Sequence, residues 1–123
     1  LTVVTAGALV KRSLDAAKLA SEAQGIEAEV IDLRSLSPFD METVATSVKK
    51  TNKVMIAHED SLSWGIGSEI AARIADELFP WLDGPVKRVA SMDTWVAYAP
   101  QLENTILPQT ADVLDGIVEL AAF

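Results

Sequence analysis

Four short β-branched or aliphatic runs recur along this chain, at Leu1–Thr5, Ile26–Leu33, Val54–Ala57 and Val86–Ala90, and each is followed by a stretch with helical periodicity. That alternation is the strongest constraint on the fold. Strands joined through helices line up in a largely parallel sheet, and right-handed crossovers place helices on both of its faces. The chain has 123 residues, enough for one such layered domain and too few for two. The expectation is a single domain over residues 1–123. Because Leu1 is not methionine and opens directly on a strand, the sequence reads as a piece of a longer chain.

The helical stretches carry their own punctuation. Val10, Leu14, Ala17 and Ser21 recur at helical spacing between about Ala8 and Ala23, with Lys11, Arg12, Asp15, Lys18 and Glu22 mostly off that face. Gly25 follows where a left-handed C′ residue is wanted. Asp40 is a good N-cap for a helix over Met41–Lys49, and Phe39 before it can staple to Val44. A helix from Ser68 has Ile70, Ala71, Ile74 and Leu78 as its buried stripe, and Phe79–Leu82 should end it as an apolar plug. Ser91–Pro108 has no clear periodicity and carries Trp95 and Tyr98; irregular segments this long in a compact domain are usually functional. Thr110 should cap a last helix with Leu114, Ile117, Val118 and Ala121 on one face.

Charge and composition narrow the function. The formal net charge is −8, which disfavours nucleic acid and anionic lipid and favours basic partners, or simply keeps the domain soluble. There is no cysteine, which excludes disulfides, thiol nucleophiles and cysteine metal sites and fits a reducing compartment. No apolar run approaches the roughly 18–20 residues of a membrane span.

The stretch with most chemistry is Lys53–Leu78, where a short strand runs into His58-Glu59-Asp60, then Trp64-Gly65-Ile66-Gly67, then a helix. In open α/β folds, such a turn from a strand's carboxyl end into a helix is where ligands dock. His58 beside carboxylates could serve as a general base, but neighbouring strand residues point to opposite faces, so His58 and Glu59 should not converge. It is the only histidine, and no HExxH pattern is present, so neither a metal site nor a serine hydrolase is supported. The favoured role is structural: His58 should hydrogen-bond to neighbouring loops or to a partner chain. Gly65 and Gly67 resemble half of a dinucleotide fingerprint; without the third glycine they read better as a tight turn that brings helix and sheet close. Asp32 is the sole candidate for a phosphoacceptor and lacks the acidic partners. Trp64 and Trp95 lie in loops, where large aromatics more often mark an interface than a cofactor box. The residues themselves thus describe a docking or assembly module with no catalytic residue of its own.

Several motifs in fixed order extend that reading: Asp32–Asp40 (DLRSLSPFD), Lys49–Asp60 (KKTNKVMIAHED), Gly65–Ile74 (GIGSEIAARI), and Asp93, Tyr98-Ala99-Pro100, Leu102-Glu103 and Leu107-Pro108. Together they resemble the C-terminal domain of transketolase-like enzymes, most closely that of the β subunit of thiamine-diphosphate-dependent 2-oxo acid dehydrogenases of the pyruvate, branched-chain and acetoin type. The resemblance implies a three-layer α/β/α sandwich around a mostly parallel, mixed five-stranded sheet. The fifth strand would come from Ser91–Ala99 or from a split element. The parent would be an oxidoreductase that decarboxylates a 2-oxo acid and acylates a lipoyl group, in the bacterial cytoplasm or the mitochondrial matrix. Its thiamine diphosphate and magnesium would lie in other domains, leaving no catalytic, cofactor or metal residue here and an isolated domain without activity.

Two roles follow from the resemblance. His58, Glu59, Trp64, Gly65, Gly67, Trp95 and Tyr98 would form the interface with other subunits of an α₂β₂-type assembly, or of a homodimer of the fragment. Asp83 and Phe123 would present a surface to the basic subunit-binding domain of the lipoyl acyltransferase. Two departures are evident: Trp64 stands where that family commonly keeps a glycine, and Thr94-Trp95-Val96 replaces a small or proline-rich step. These bulky indoles suggest a modified interface, as in a fused α–β chain. Alternatives are the C-terminal domain of a transketolase or deoxyxylulose-phosphate synthase, and a free-standing module holding a small anion at Gly65–Ser68.

Overall fold

The computed structural model describes all residues from Leu1 to Phe123. In order they form β1 (Thr2–Thr5), α1 (Leu9–Gln24), β2 (Glu29–Asp32), α2 (Met41–Thr51), β3 (Val54–Ser61), α3 (Ile66–Leu78), a 3-10 turn (Phe79–Trp81), β4 (Lys87–Ser91), α4 (Pro100–Ile106) and α5 (Thr110–Ala121). The sheet order is β2-β1-β3-β4 and every pairing is parallel.

Period-two alternation sorts the sheet's side chains into two cores. Val3, Met55 and Ala57 pack with Leu9, Ala16 and Ala20 of α1 and Val113, Ile117 and Leu120 of α5. Val4, Val54 and Ile56 pack on the other face with Val44 and Val48 of α2 and Ile70, Ile74 and Leu78 of α3. Each of the larger of these side chains contributes about 1.5–3 kcal/mol when fully buried. Gly116 lets α5 lie close to the sheet: a β-carbon there would come within 2.7 Å of Met55 Sδ and 2.9 Å of Val89 Cγ2.

The expected three-layer architecture is present, with corrections. The sheet has four strands rather than five, and none is antiparallel. Beyond Ser91, the residues expected to supply a fifth strand are bent instead: Thr94 N–H donates to the Met92 carbonyl at 2.7 Å, the Asp93 carboxylate is engaged by Ser63, and Pro100 opens a helix. That helix, α4, was hidden because it buries no side chain and so has no apolar stripe. β3 runs to Ser61, past the expected Ala57, and α3 begins at Ile66 rather than Ser68. In α1 the buried stripe is Leu9, Ser13, Ala16 and Ala20, one position before the expected one, and Leu14 is 52% exposed. Small residues win that face because α1 packs closely against both β1 and α5. Gln109 rather than Thr110 caps α5, in a capping box with Asp112. Phe79–Trp81 is no plug: Phe79 is 73% exposed, and Trp81 lies under the Lys49 ammonium, 4.5 Å from its ring centroid.

Candidate functional site

The carboxyl ends of β3 and β4 and the loops that leave them gather most of the singled-out residues. His58 is buried while Glu59 faces outward, as alternation demands; the Glu59 carboxylate accepts from Arg12 Nη1 at 3.3 Å, and the same nitrogen donates to the Pro108 carbonyl at 2.7 Å. The next residue, Asp60, turns back on the loop. Its two carboxylate oxygens accept from the main-chain N–H groups of Ser61 (2.8 Å) and Ile66 (3.0 Å). The Ile66 amide, then that of Ser61, holds the Asp60 carboxyl below its ordinary range.

Both glycines are required for space rather than for backbone freedom. A β-carbon at Gly65 would collide with the Ser61 carbonyl oxygen and lie 3.1 Å from His58 Cε1. A β-carbon at Gly67 would overlap Nε2 and Cδ2 of His58. His58 is therefore a spacer wedged under the first turn of α3. Neither ring nitrogen has a hydrogen-bond partner within the chain, which corrects the expectation of bonds to neighbouring loops. Burial pushes the His58 pKa down, opposed by the nearby Asp60 charge.

The residue that does occupy a glycine conformation is Trp64. Its φ is +64°, in the left-handed region, and its side chain is 99% exposed. Nothing in the chain packs on it to offset the strain. Trp95 is 93% exposed and Tyr98 fully so. The two loops are joined: Ser63 N–H and Oγ donate to the two Asp93 carboxylate oxygens at 2.8 and 2.6 Å. The Ser63 hydroxyl, then its amide, lowers the Asp93 pKa. Arg88 Nη1 braces the first loop from β4, donating to the Leu62 carbonyl (2.6 Å) and Ser68 Oγ (2.7 Å).

Asp83 and Phe123 lie elsewhere, at the amino end of the sheet. Asp83 N–H donates to the Asn52 carbonyl just before β3, and Gly84 packs against the Phe123 ring, its absent β-carbon 3.3 Å from Phe123 Cβ. Both side chains are exposed. The structure thus separates the expected residues into two ends of one sheet. It also has a cleft that sequence reading missed, about 340 Å³, between β4 and the α4–α5 connection, lined by Lys87, Val89, Met92, Ile106, Asp112 and Gly116 among others. No periodicity or motif marks a cleft formed by a helix that buries nothing.

The fit to an anionic or metal-bound cofactor is poor. The Ile66 amide at the start of α3, which a phosphate would need, already binds Asp60. No three His, Asp or Glu side chains converge for a metal. What the carboxyl end offers is a pair of loops, tied together by Ser63 and Asp93, that hold exposed aromatic side chains beyond the strands of a parallel α/β sheet.

Residues 1–113 match the family model described as "Transketolase, C-terminal domain". The chain belongs to that family. Among similar proteins, the "Pyruvate dehydrogenase E1 component subunit beta" of Rickettsia conorii is 37% identical over 123 residues, all of this chain and 37% of that one. The "Acetoin:2,6-dichlorophenolindophenol oxidoreductase subunit beta" of Bacillus subtilis is 41% identical over 120 residues, 98% of this chain and 35% of its own length. A solved structure described as "Split gene transketolase, inactive beta4 tetramer" superposes with a TM-score of 0.84 at 32% identity, over 98% of this chain and 39% of that one. The chain therefore spans little more than a third of the relatives it matches. No helix is long and apolar enough to cross a membrane.

Proposed function

We propose that this chain is the carboxyl-terminal domain of the β subunit, or of a fused α–β chain, of a thiamine-diphosphate-dependent 2-oxo acid dehydrogenase, and that it serves assembly and docking rather than chemistry. The observation that carries the assembly role is the near-complete exposure of Trp64, Trp95 and Tyr98 on two loops tied together by Ser63 and Asp93. Solvent-exposed indoles on loops held in place by hydrogen bonds suit an interface, because little freedom is lost on burial. The names of the similar β subunits support the dehydrogenase reading.

In this proposal the parent decarboxylates a 2-oxo acid and acylates a lipoyl group. Thiamine diphosphate and magnesium are held by other domains, and the residues of this one orient those domains. His58, Glu59, Gly65 and Gly67 keep the aromatic loops at a fixed height above the sheet. Asp83 and Phe123 offer the acyltransferase an acidic and apolar surface at the opposite end. A transketolase parent is the second reading, favoured by the similarity to the split-gene transketolase. The small-anion module is disfavoured by Asp60, which already occupies the α3 amide. Calorimetric titration of the chain with thiamine diphosphate and magnesium is the test: no heat of binding is expected, and tight binding would overturn the assembly role.

A further inference from the structure

The chain's one histidine sits where a proton would be hardest to accommodate. His58 is 6% exposed, and neither ring nitrogen has a hydrogen-bond partner. Its ring lies against the backbone of Gly67 in the first turn of α3. Asp60 is close by: its Cγ and His58 Cε1 lie 3.2 and 3.1 Å from one point, the place of a β-carbon at Gly65. Even so, the Asp60 oxygens bind the Ser61 and Ile66 amides and not the ring. The other charged groups around the ring are engaged or exposed. Arg88 of β4 holds Leu62 and Ser68, and Glu59 pairs with Arg12. Glu69 in the first turn of α3 is exposed, and Arg34 before α2 pairs with Asp32. The β1–α1 turn, Ala6 to Ala8, has no titratable side chain.

We propose that His58 is an acid-sensitive latch: proton uptake drives the ring from under Gly67, and the turn from Leu62 to Gly67 opens while the sheet and the rest of α3 stay folded. An imidazolium has two N–H donors, and its seat beneath α3 supplies no acceptor for either. Moving toward Asp60 removes the ring from under the helix and sets it in competition with the Ile66 amide for the carboxylate. The turn is poised to yield. Leu62, Ser63 and Trp64 are exposed, so opening gives up little buried surface, and it releases the left-handed backbone at Trp64. Beyond the first turn, α3 is anchored by Ile70, Ile74 and Leu78 in the core. The consequence for assembly, an aromatic interface weakened by acid, rests on the reading that these loops contact another chain; the latch itself does not.

The test is amide hydrogen exchange of the chain at about pH 7.5 and about pH 5, each with and without sub-denaturing urea, corrected for the intrinsic rate. In the open turn the ring titrates near its ordinary 6.5, whereas burial lowers the value in the closed one, so acid multiplies the open fraction. Protection at the Ile66 amide should fall about tenfold at the lower pH. That exchange should barely respond to urea, because a local opening exposes little surface, while exchange at Ile74 should rise steeply with urea. His58→Gln should remove the pH difference at Ile66; His58→Leu serves if the glutamine variant loses the circular dichroism of the parent. Asp60, with its pKa held below the ordinary 3.8, stays ionised over this range, and the Leu1 amino group lies at the opposite end of the sheet. Protection at Ile66 that does not change with pH overturns the proposal. So does exchange at Ile66 that tracks Ile74 in urea, which would make the event global unfolding, or a pH difference that persists in a folded variant. Sedimentation of the parent enzyme at the two pH values is a separate readout: unchanged assembly alongside an open turn contradicts the interface reading and leaves the latch standing.

Discussion

The His58 imidazole lies directly beneath the α-carbon of Gly67, so closely that a β-carbon at 67 would overlap the ring. This contact fixes the height of the first turn of α3 above the sheet, and with it the loop that carries Trp64. Gly67→Ala should therefore cost about 1–3 kcal/mol through overpacking. Combining it with His58→Ala should cost less than the sum of the two changes, because each relieves the other. Urea denaturation of the four chains checks this; strict additivity would show that the ring and the glycine do not bear on each other.

Trp64 places the largest side chain at a backbone position that glycine prefers. Trp64→Gly should raise stability by about 0.5–1 kcal/mol, the left-handed penalty of roughly 1–2 kcal/mol less the extra chain entropy of glycine. Chemical denaturation should show a higher midpoint at an unchanged slope. A lower midpoint would mean that the indole packs on the chain after all.

His58 gives the fold a pH dependence. Its folded pKa is lowered from the ordinary 6.5 by burial, so the unfolded chain binds the proton more readily. Stability is then fully present above about pH 6.5 and falls as the pH drops below it, down to the folded pKa. Asp60 and Asp93 add a second loss at lower pH: their folded pKa values lie below the ordinary 3.8, so their contribution holds above that value and disappears as they protonate. Denaturation midpoints at pH 8 and 5.5 should differ in the parent and converge in His58→Gln.

Asp93 ties the two loops through Ser63. Asp93→Ala should leave the core intact and free the loops, so hydrogen exchange at the Ser63 amide should accelerate while exchange at Ile56 stays slow. Unchanged Ser63 protection would mean that the loops are held by other contacts.

At the other end of the sheet, Asp83→Asn and a chain extended past Phe123 should each weaken binding of the acyltransferase subunit-binding domain to the assembled enzyme, the first about threefold or more through loss of one charge. Binding that is unchanged in both removes Asp83 and Phe123 from the docking surface.

Much of the fold was legible because strand alternation and helix caps are local. Gly25 at a left-handed C-cap and Asp40 bonded to Thr43 are where short-range chemistry puts them. The misses are tertiary. The stripe on α1 slipped by one residue because Ser13, Ala16 and Ala20 are small enough for close packing, and periodicity alone does not weigh size against distance. Helix α4 buries nothing, so it left no apolar signal. At the site, the departure at Trp64 was visible as a bulky residue in a glycine's place, but its positive φ and the His58–Gly67 contact depend on how two elements meet. The Ser63–Asp93 tie spans 30 residues and has no sequence signature.

The most direct measurement is sedimentation of the parent enzyme carrying W64G and W95A in this domain. Dissociation into smaller species, with this domain still folded by circular dichroism, is the predicted result. An assembly of unchanged mass and stability to dilution would contradict the claim that these loops join one chain to another.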